Sequence, residues 1–168
     1  MRILTKRLLI RDLSFRDFDD YYEYATRPTI GPMAGWKPIP NEEVGRRVFS
    51  SMILQKDVFA IELLENHKMI GTISIYNYGI RKYKYVKQLG FSLNDEYWNK
   101  GYMTEACNTL VNYLFDIGYK TIIIEADENN IGSNRVIEKC GFVFTHKETK
   151  QCSSLKPDVI TVNWYRKK

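Results

Sequence analysis

Two short stretches carry residue types that could do chemistry together. The first runs Trp98-Asn99-Lys100-Gly101-Tyr102-Met103-Thr104, between the strand-like QLGFSLN and a helix. A helix N-terminus presents free N–H groups and roughly half a positive charge, so a phosphate placed there is stabilised. Gly101 lets a ligand approach the backbone, and Lys100 adds positive charge. The spacing alone also fits an ordinary strand-to-helix turn. Neither G-x-G-x-x-G nor G-x-x-x-x-G-K-[ST] is present, which argues against dinucleotide and P-loop sites. The second stretch is ENNIGSN, where Asn129, Asn130, Ser133 and Asn134 crowd polar groups behind the β-branched run TIIIEAD. Helix capping by Asn130 or Ser133 would account for part of this pattern.

Other chemistries find less support. Cys107, Cys140 and Cys152 are odd in number, show no C-x-x-C spacing and have no histidine near in sequence, so no nucleophilic cysteine and no disulfide framework is expected. His67 and His146 stand far apart, and no metal site is expected. The chain's 168 residues carry a net charge of +5, which suits an anionic ligand without demanding nucleic acid. The N-terminus MRILTKRLLIRDL never builds an apolar segment, and no run of 18 apolar residues occurs. A cytoplasmic protein of one domain spanning residues 1–168, with no membrane partner, is expected, as monomer or homodimer.

The elements that must position these residues follow from periodicity. Residues 6–13 read as a strand, 14–27 as a helix capped by Ser14, and 28–40 as a Pro/Gly loop holding Trp36. A helix over 41–56 starts at Asn41. VFAIELLEN and KMIGTISIYNYG form a hairpin, and a third strand covers 85–94 after the basic turn IRKYK. In the next helix Met103, Cys107, Leu110, Leu114 and Ile117 are spaced 4, 3, 4 and 3, one buried face, and Gly118 ends it. TIIIEAD (121–127) reads as a strand buried on both faces. Strand, helix, strand makes a parallel pair. A short helix over 132–140 and the strands FVFTHKE and VITVNWY complete a mixed α/β (α+β) fold. It has about seven mostly antiparallel strands, one parallel step between the fourth and fifth, and about four helices. Both polar stretches then fall at the carboxyl ends of the parallel strands, where a crevice forms.

Taken together, LGFSLNDEYWNKGYMTEA and EADENNIGSNRVIEKCGF resemble the GNAT N-acetyltransferase superfamily, nearest its RimJ/RimL-like branch of ribosomal-protein N-terminal acetyltransferases. TKRLLIRDLSFRDFDDYYEY and GPMAGWKPIPNEE are similar to that branch as well. The resemblance implies acetyl-CoA as co-substrate, no metal, and a primary amine as acceptor, most simply the α-amine of a protein or peptide N-terminus. It places the pyrophosphate on the turn from Trp98 to Thr104, with Gly101 matching the family glycine, Trp98 replacing a Gln or Arg, and Met103 replacing a small residue. It pairs the pantetheine arm with Phe91, Ser92 and Leu93 and gives Asn130, Ser133 and Asn134 contacts to cofactor. Ser133 inherits the role of acid toward the leaving thiolate, because Ile137 stands where many relatives carry tyrosine. Gln88 stands where many carry a glutamate base, which leaves water, Glu125 or Asp127 for that role.

Two alternatives belong to other classes. YNYGIRKYKYVK interleaves four tyrosines with four cations, a pattern that can stack single-stranded nucleic acid, although a hairpin with aromatic pairs explains it as well. A CoA-binding module without turnover would fit Gln88 and Ile137. A small-molecule amine is the alternative acceptor, but the loop 28–40 has no dense acidic cluster for a polyamine.

Overall fold

The computed structural model describes residues 1–79, 83–152 and 159–168. One sheet of eight strands runs through it: β1 (Arg2–Leu4), β2 (Leu8–Asp12), β3 (Val58–Leu63), β4 (Met69–Asn77), β5 (Val86–Leu93), β6 (Thr121–Asp127), β7 (Val143–Gln151) and β8 (Val159–Lys167). Their order is β1-β2-β3-β4-β5-β6-β8-β7. Every neighbouring pair is antiparallel except β5 and β6. Four helices cover it: α1 (Phe18–Ala25), α2 (Glu42–Gln55), α3 (Tyr102–Asp116) and α4 (Ile131–Lys139). The mixed fold with one parallel step is as the sequence predicts. The eighth strand is the addition: β1 is three residues long, and it pairs Arg2–Leu4 with Arg11–Leu9. The basic turn of the β4–β5 connection lies in part, at residues 80–82, outside the described residues.

Alternation along the strands sends side chains to two cores. On β3, Phe59, Ile61 and Leu63 face the layer of α3 and α4. Val58 and Ala60 face α1 and α2. The helix α3 buries Met103, Cys107, Leu110 and Leu114 as expected, at about 1.5–3 kcal/mol for each large apolar side chain. Ile117 departs from the expected face and is exposed. It is the C-cap, and Gly118 at φ 101° turns the chain away before another helical turn forms.

The strand β6 also departs from expectation. Ile122 and Ile124 are buried under α3, but the residues between them are only half-buried. The second face of the sheet there opens on a cleft, walled by Met33 and Ala34 of the 28–40 loop and by Met52 and Gln55 of α2.

Buried charges fix α1 against the sheet. The Arg11 guanidinium donates to Asp17 at 2.6 and 2.7 Å and to Glu62 at 2.5 Å. Burial pushes the Asp17 carboxyl upward, but hydrogen bonds from Arg11 and Ser14 outweigh it and hold it below the usual carboxylate range. At the other end of α1, Arg27 pairs with Asp95 and Glu96 in the turn that leaves β5. Thus the wall of the cleft and the turn before α3 are held as one unit.

Candidate active site

The cleft begins where the parallel pair comes apart. The β5–β6 ladder runs from Val86 opposite Thr121 to Leu89 opposite Ile124 and stops there. Beyond that fork β5 continues through Phe91, Ser92 and Leu93, still paired on its other side with β4. Residues Glu125 to Asp127 continue β6, paired on their outer side with β8. Two inner strand edges therefore face each other with no shared ladder. A cavity of about 670 Å³ opens on them. Gln88, Ser92, Glu125, Asp127 and Ser133 all line it, and Trp36 and Met33 of the 28–40 loop form part of its wall.

The start of α3 is built by an unusual backbone. Asn99 and Gly101 both adopt left-handed conformations, at φ 59° and 78°. Gly101 is the N-cap, and no side chain caps this helix end. The N–H groups of its first turn therefore lack an acceptor from the helix or a cap. Trp98 fixes the turn to the strand before it, since its indole N–H donates to the Leu93 carbonyl at 2.8 Å. Met103 is buried in the main core, so its length projects away from the turn rather than into it. Tyr102 lies under the Arg7 guanidinium, 4.3 Å from ring centre to Cζ. Lys100 lies beside the Tyr97 ring at 5.3 Å. Thr104 contributes its carbonyl to a 3.7 Å contact with the Cys140 thiol.

Arg7 is a residue that sequence reasoning does not pick out. Its guanidinium donates to the Lys100 carbonyl at 3.0 Å and to Glu105 at 2.7 Å. Glu105 also accepts from the Thr5 hydroxyl at 2.6 Å. Burial pushes the Glu105 carboxyl up, but the bonds from Thr5 and Arg7 hold it below the usual range. The β1–β2 turn thus braces the uncapped helix start from outside. Nothing in TKRLL distinguishes this arginine from its charged neighbours.

The second polar stretch divides into positioning groups and one free group. The Asn130 side chain accepts from the Ser133 N–H at 3.0 Å, capping α4, and donates to the Met33 carbonyl at 2.8 Å. It ties the loop wall to the helix. The Asn134 amide donates to the carbonyls of Asp127 and Asn130, and its oxygen accepts from Asn163 and Tyr165. Its hydrogen-bonding groups are taken up by the protein itself. The Ser133 hydroxyl has no hydrogen-bond partner among the described residues. Ile137 is fully buried in the core.

Two carboxylates face the cleft from β6. Asp127 accepts from the Asn129 N–H at 2.8 Å, closing the turn into α4. Glu125 accepts from Lys150 Nζ at 2.5 Å through Oε1. Its Oε2 is buried and has no hydrogen-bond partner. The cysteines divide as well: contact with Cys140 and burial push the Cys107 thiol well above its ordinary value, which makes it a poor nucleophile. Cys152 borders the cavity. Among the described residues no group of three His, Cys, Asp or Glu side chains could hold a metal ion, and no helix is long and apolar enough to cross a membrane.

An uncapped helix start beside a forked parallel pair fits a ligand with an anionic end and an extended arm. Comparison with known proteins agrees. The Acetyltransferase (GNAT) domain family matches residues 7–143. The Bacillus subtilis (strain 168) protein named "Uncharacterized N-acetyltransferase YnaD" is 32% identical over 143 residues, covering 84% of this chain and 82% of that one. The crystal structure of a GNAT-family acetyltransferase from Bacillus anthracis superposes with a TM-score of 0.88 at 25% identity, over 99% of this chain and 98% of that one. A ribosomal-protein-S5-alanine acetyltransferase from Vibrio fischeri shares the fold with a TM-score of 0.75 at 20% identity, over 99% and 96% of the two chains. The chain belongs to the GNAT acetyltransferase family, and it is an acetyl-CoA-dependent N-acetyltransferase.

Proposed function

We propose that this enzyme acetylates an α-amine at the N-terminus of a protein or peptide, in the manner of the RimJ/RimL-like branch, in the cytoplasm. The observation that carries the reading is that two groups of the β6–α4 side line one cavity. Glu125 has a carboxylate oxygen without a hydrogen-bond partner, and the Ser133 hydroxyl has no partner among the described residues.

Acetyl-CoA supplies an acetyl group activated as a thioester. The N–H groups at the start of α3, with Lys100 beside them, receive its pyrophosphate, and Trp98 and Arg7 hold that turn in place. The inner edge of β5 at Phe91, Ser92 and Leu93 offers backbone groups to the pantetheine arm, in place of the missing ladder. A free backbone N–H on that edge stabilises the charge that develops on the carbonyl oxygen. The neutral amine attacks the carbonyl carbon, and Glu125 takes the proton that the nitrogen loses. The carbon–sulfur bond breaks, Ser133 gives its proton to the departing sulfur, and water returns a proton to the serine as Glu125 releases the one it took. Asn130 holds Ser133 through its N–H, and Asn134 holds the helix that carries both.

A screen of N-terminal peptides, amino acids and aminoglycosides for CoA release tests this assignment. Peptides with a free α-amine should react faster than the same peptides blocked at the terminus but carrying lysine. Turnover of small amines with none on any peptide would overturn it.

A further inference from the structure

The sheet face that forms the cleft does not end at the cleft. Register places Trp164 beside Glu125, and His146 beside Trp164, on one face of the sheet. Tyr76, opposite Gln88, lines the cavity on the same face. From there the rings run on. Tyr78 lies 6.4 Å from Trp164 and 5.4 Å from Tyr83, and the His146 ring stacks on Trp164 at 6.1 Å. Tyr76, Tyr78 and Tyr83 are each nearly 40% exposed, at 39%, 37% and 39%. A contiguous exposed aromatic surface marks a contact site more often than scattered single residues do.

The charges on this face are unevenly placed. Its acids gather at the cleft end: Glu125 pairs with Lys150, Asp127 accepts from the Asn129 N–H, and Glu148 accepts from the Trp164 indole N–H. Arg166 is the register partner of Ile123, two residues along from the Trp164–Glu125 pair, and is exposed. It makes no ion pair among the described residues. Lys84 follows Tyr83 in the chain, and its Nζ lies 5.7 Å from the Tyr85 ring. Arg166, without an ion pair among the described residues, thus borders an aromatic strip that leads out of the acceptor cavity.

We infer that this strip receives the polypeptide behind the acetylated amine, and that it selects acceptors with acidic residues soon after their N-terminus. The inference rests on the α-amine reading above and names its substrate class. An extended chain advances about 3.3 Å per residue. Two strand residues separate Glu125 from the level of Arg166, and the arginine side chain adds reach. With the amine at Glu125, the third to fifth residues of the acceptor pass Arg166. Tyrosine and tryptophan give such a chain contact area at low entropic cost. Single-stranded nucleic acid suits the strip less well. His146 already covers one face of Trp164, so a base cannot stack on that face.

The test is CoA-release kinetics on matched acceptors: a dipeptide amide, an octapeptide with acids at positions three to five, and the same octapeptide with lysines there. The wild-type enzyme should favour the acidic octapeptide over the dipeptide by about tenfold or more in kcat/KM, and the lysine octapeptide should lose that advantage. Arg166→Glu should cut the advantage of the acidic peptide roughly three- to tenfold and improve the lysine peptide. Tyr78→Ala should weaken both octapeptides and leave the dipeptide rate and the KM for acetyl-CoA unchanged. Equal kcat/KM for dipeptide and octapeptides, or no response to Arg166→Glu, would overturn the inference and leave the α-amine reading standing. Turnover of small amines with none on any peptide would overturn both. Stronger inhibition of the dipeptide reaction by a single-stranded oligonucleotide than by the acidic octapeptide would assign the strip to nucleic acid instead.

Discussion

Replacing Glu125 with glutamine tests the proposed chemistry most directly. The exchange keeps shape and removes only the charge and one acceptor. Lys150 Nζ lies 2.5 Å from Oε1, so the new amide must turn its oxygen toward the lysine. Its NH₂ group then takes the place of Oε2, the buried oxygen that has no protein partner. The variant loses the proposed base and one hydrogen-bond acceptor. General-base removal costs roughly 10²–10⁴ in rate, so kcat on a peptide α-amine should fall at least about 100-fold, or about 2.7 kcal/mol in barrier. Binding of acetyl-CoA should hold within twofold, because the turn at Gly101 is untouched. Calorimetry for the cofactor and stopped assays for product, both at pH 7.5, separate the two effects. A loss of less than threefold in kcat, with cofactor binding intact, would show that Glu125 is not the base.

Further outcomes are expected. Gly101→Asp puts a carboxylate and a strained left-handed side chain (φ 78°) at the uncapped end of α3, and calorimetry should show acetyl-CoA binding lost. Ser133→Ala should lower turnover about tenfold or more while changing cofactor affinity little; a drop in affinity alone would reduce Ser133 to a positioning role. Asp17 and Glu62 both have carboxyls held below their unfolded values. Their stabilisation is complete above the unfolded values of 3.8 and 4.5 and is lost as pH falls through the lower folded values, so thermal melts should show Tm dropping steeply below about pH 4. Arg11→Met would strand both acids without their cation, at a cost of about 3–5 kcal/mol, and Tm would fall even at pH 7. With a peptide α-amine as acceptor, the rate should rise with pH and level off near 8, and Gln88→Glu should change that profile only weakly.

Helix α3 was legible in the sequence because its buried face repeats at helical spacing and ends at a glycine. The parallel step was legible because strand, helix and strand follow each other directly between Val86 and Asp127. Other features left no local trace. β1 is three residues of alternating exposure, too short to separate from its charged surroundings. The four hydrogen bonds of Asn134 include two from residues 29 and 31 positions away, so its use as an internal brace is a tertiary fact. Glu125 and Asp127 share a strand face by their spacing of two, and sequence cannot rank them. Their neighbours differ, Lys150 on β7 for Glu125 and the Asn129 turn for Asp127, and the proposal of Glu125 as base builds on that difference. TIIIEAD looks buried on both faces because β-branched residues fill both. Whether a second layer covers them depends on where α1 and α2 stop.

The position of the fork explains why Gln88 should matter little. Gln88 pairs with Ile123 inside the ladder, one step before it ends at Leu89 and Ile124. Glu125 stands one step past that end, on the strand that leaves the pair. A carboxylate at position 88 would sit at the foot of the cleft, whereas one at 125 sits on its inner edge, nearer the unpaired stretch of β5. On the proposed chemistry the proton leaves the amine toward β6 rather than β5. The substrate removes much of the remaining need. A free α-amine titrates near 7.7–8.0 and a lysine near 10.4, so at pH 7.5 roughly a third of α-amines but only about one lysine in a thousand is neutral. That alone favours the α-amine by a factor of roughly 250. To offset this a bound lysine's pKa would have to fall by two units or more, whereas a glutamate at position 88, being an anion, would raise it. The pH–rate curve of Gln88→Glu should accordingly overlay that of the parent enzyme. A shift of its midpoint by a full unit, or efficient lysine acetylation at pH 7, would place the base on β5 after all.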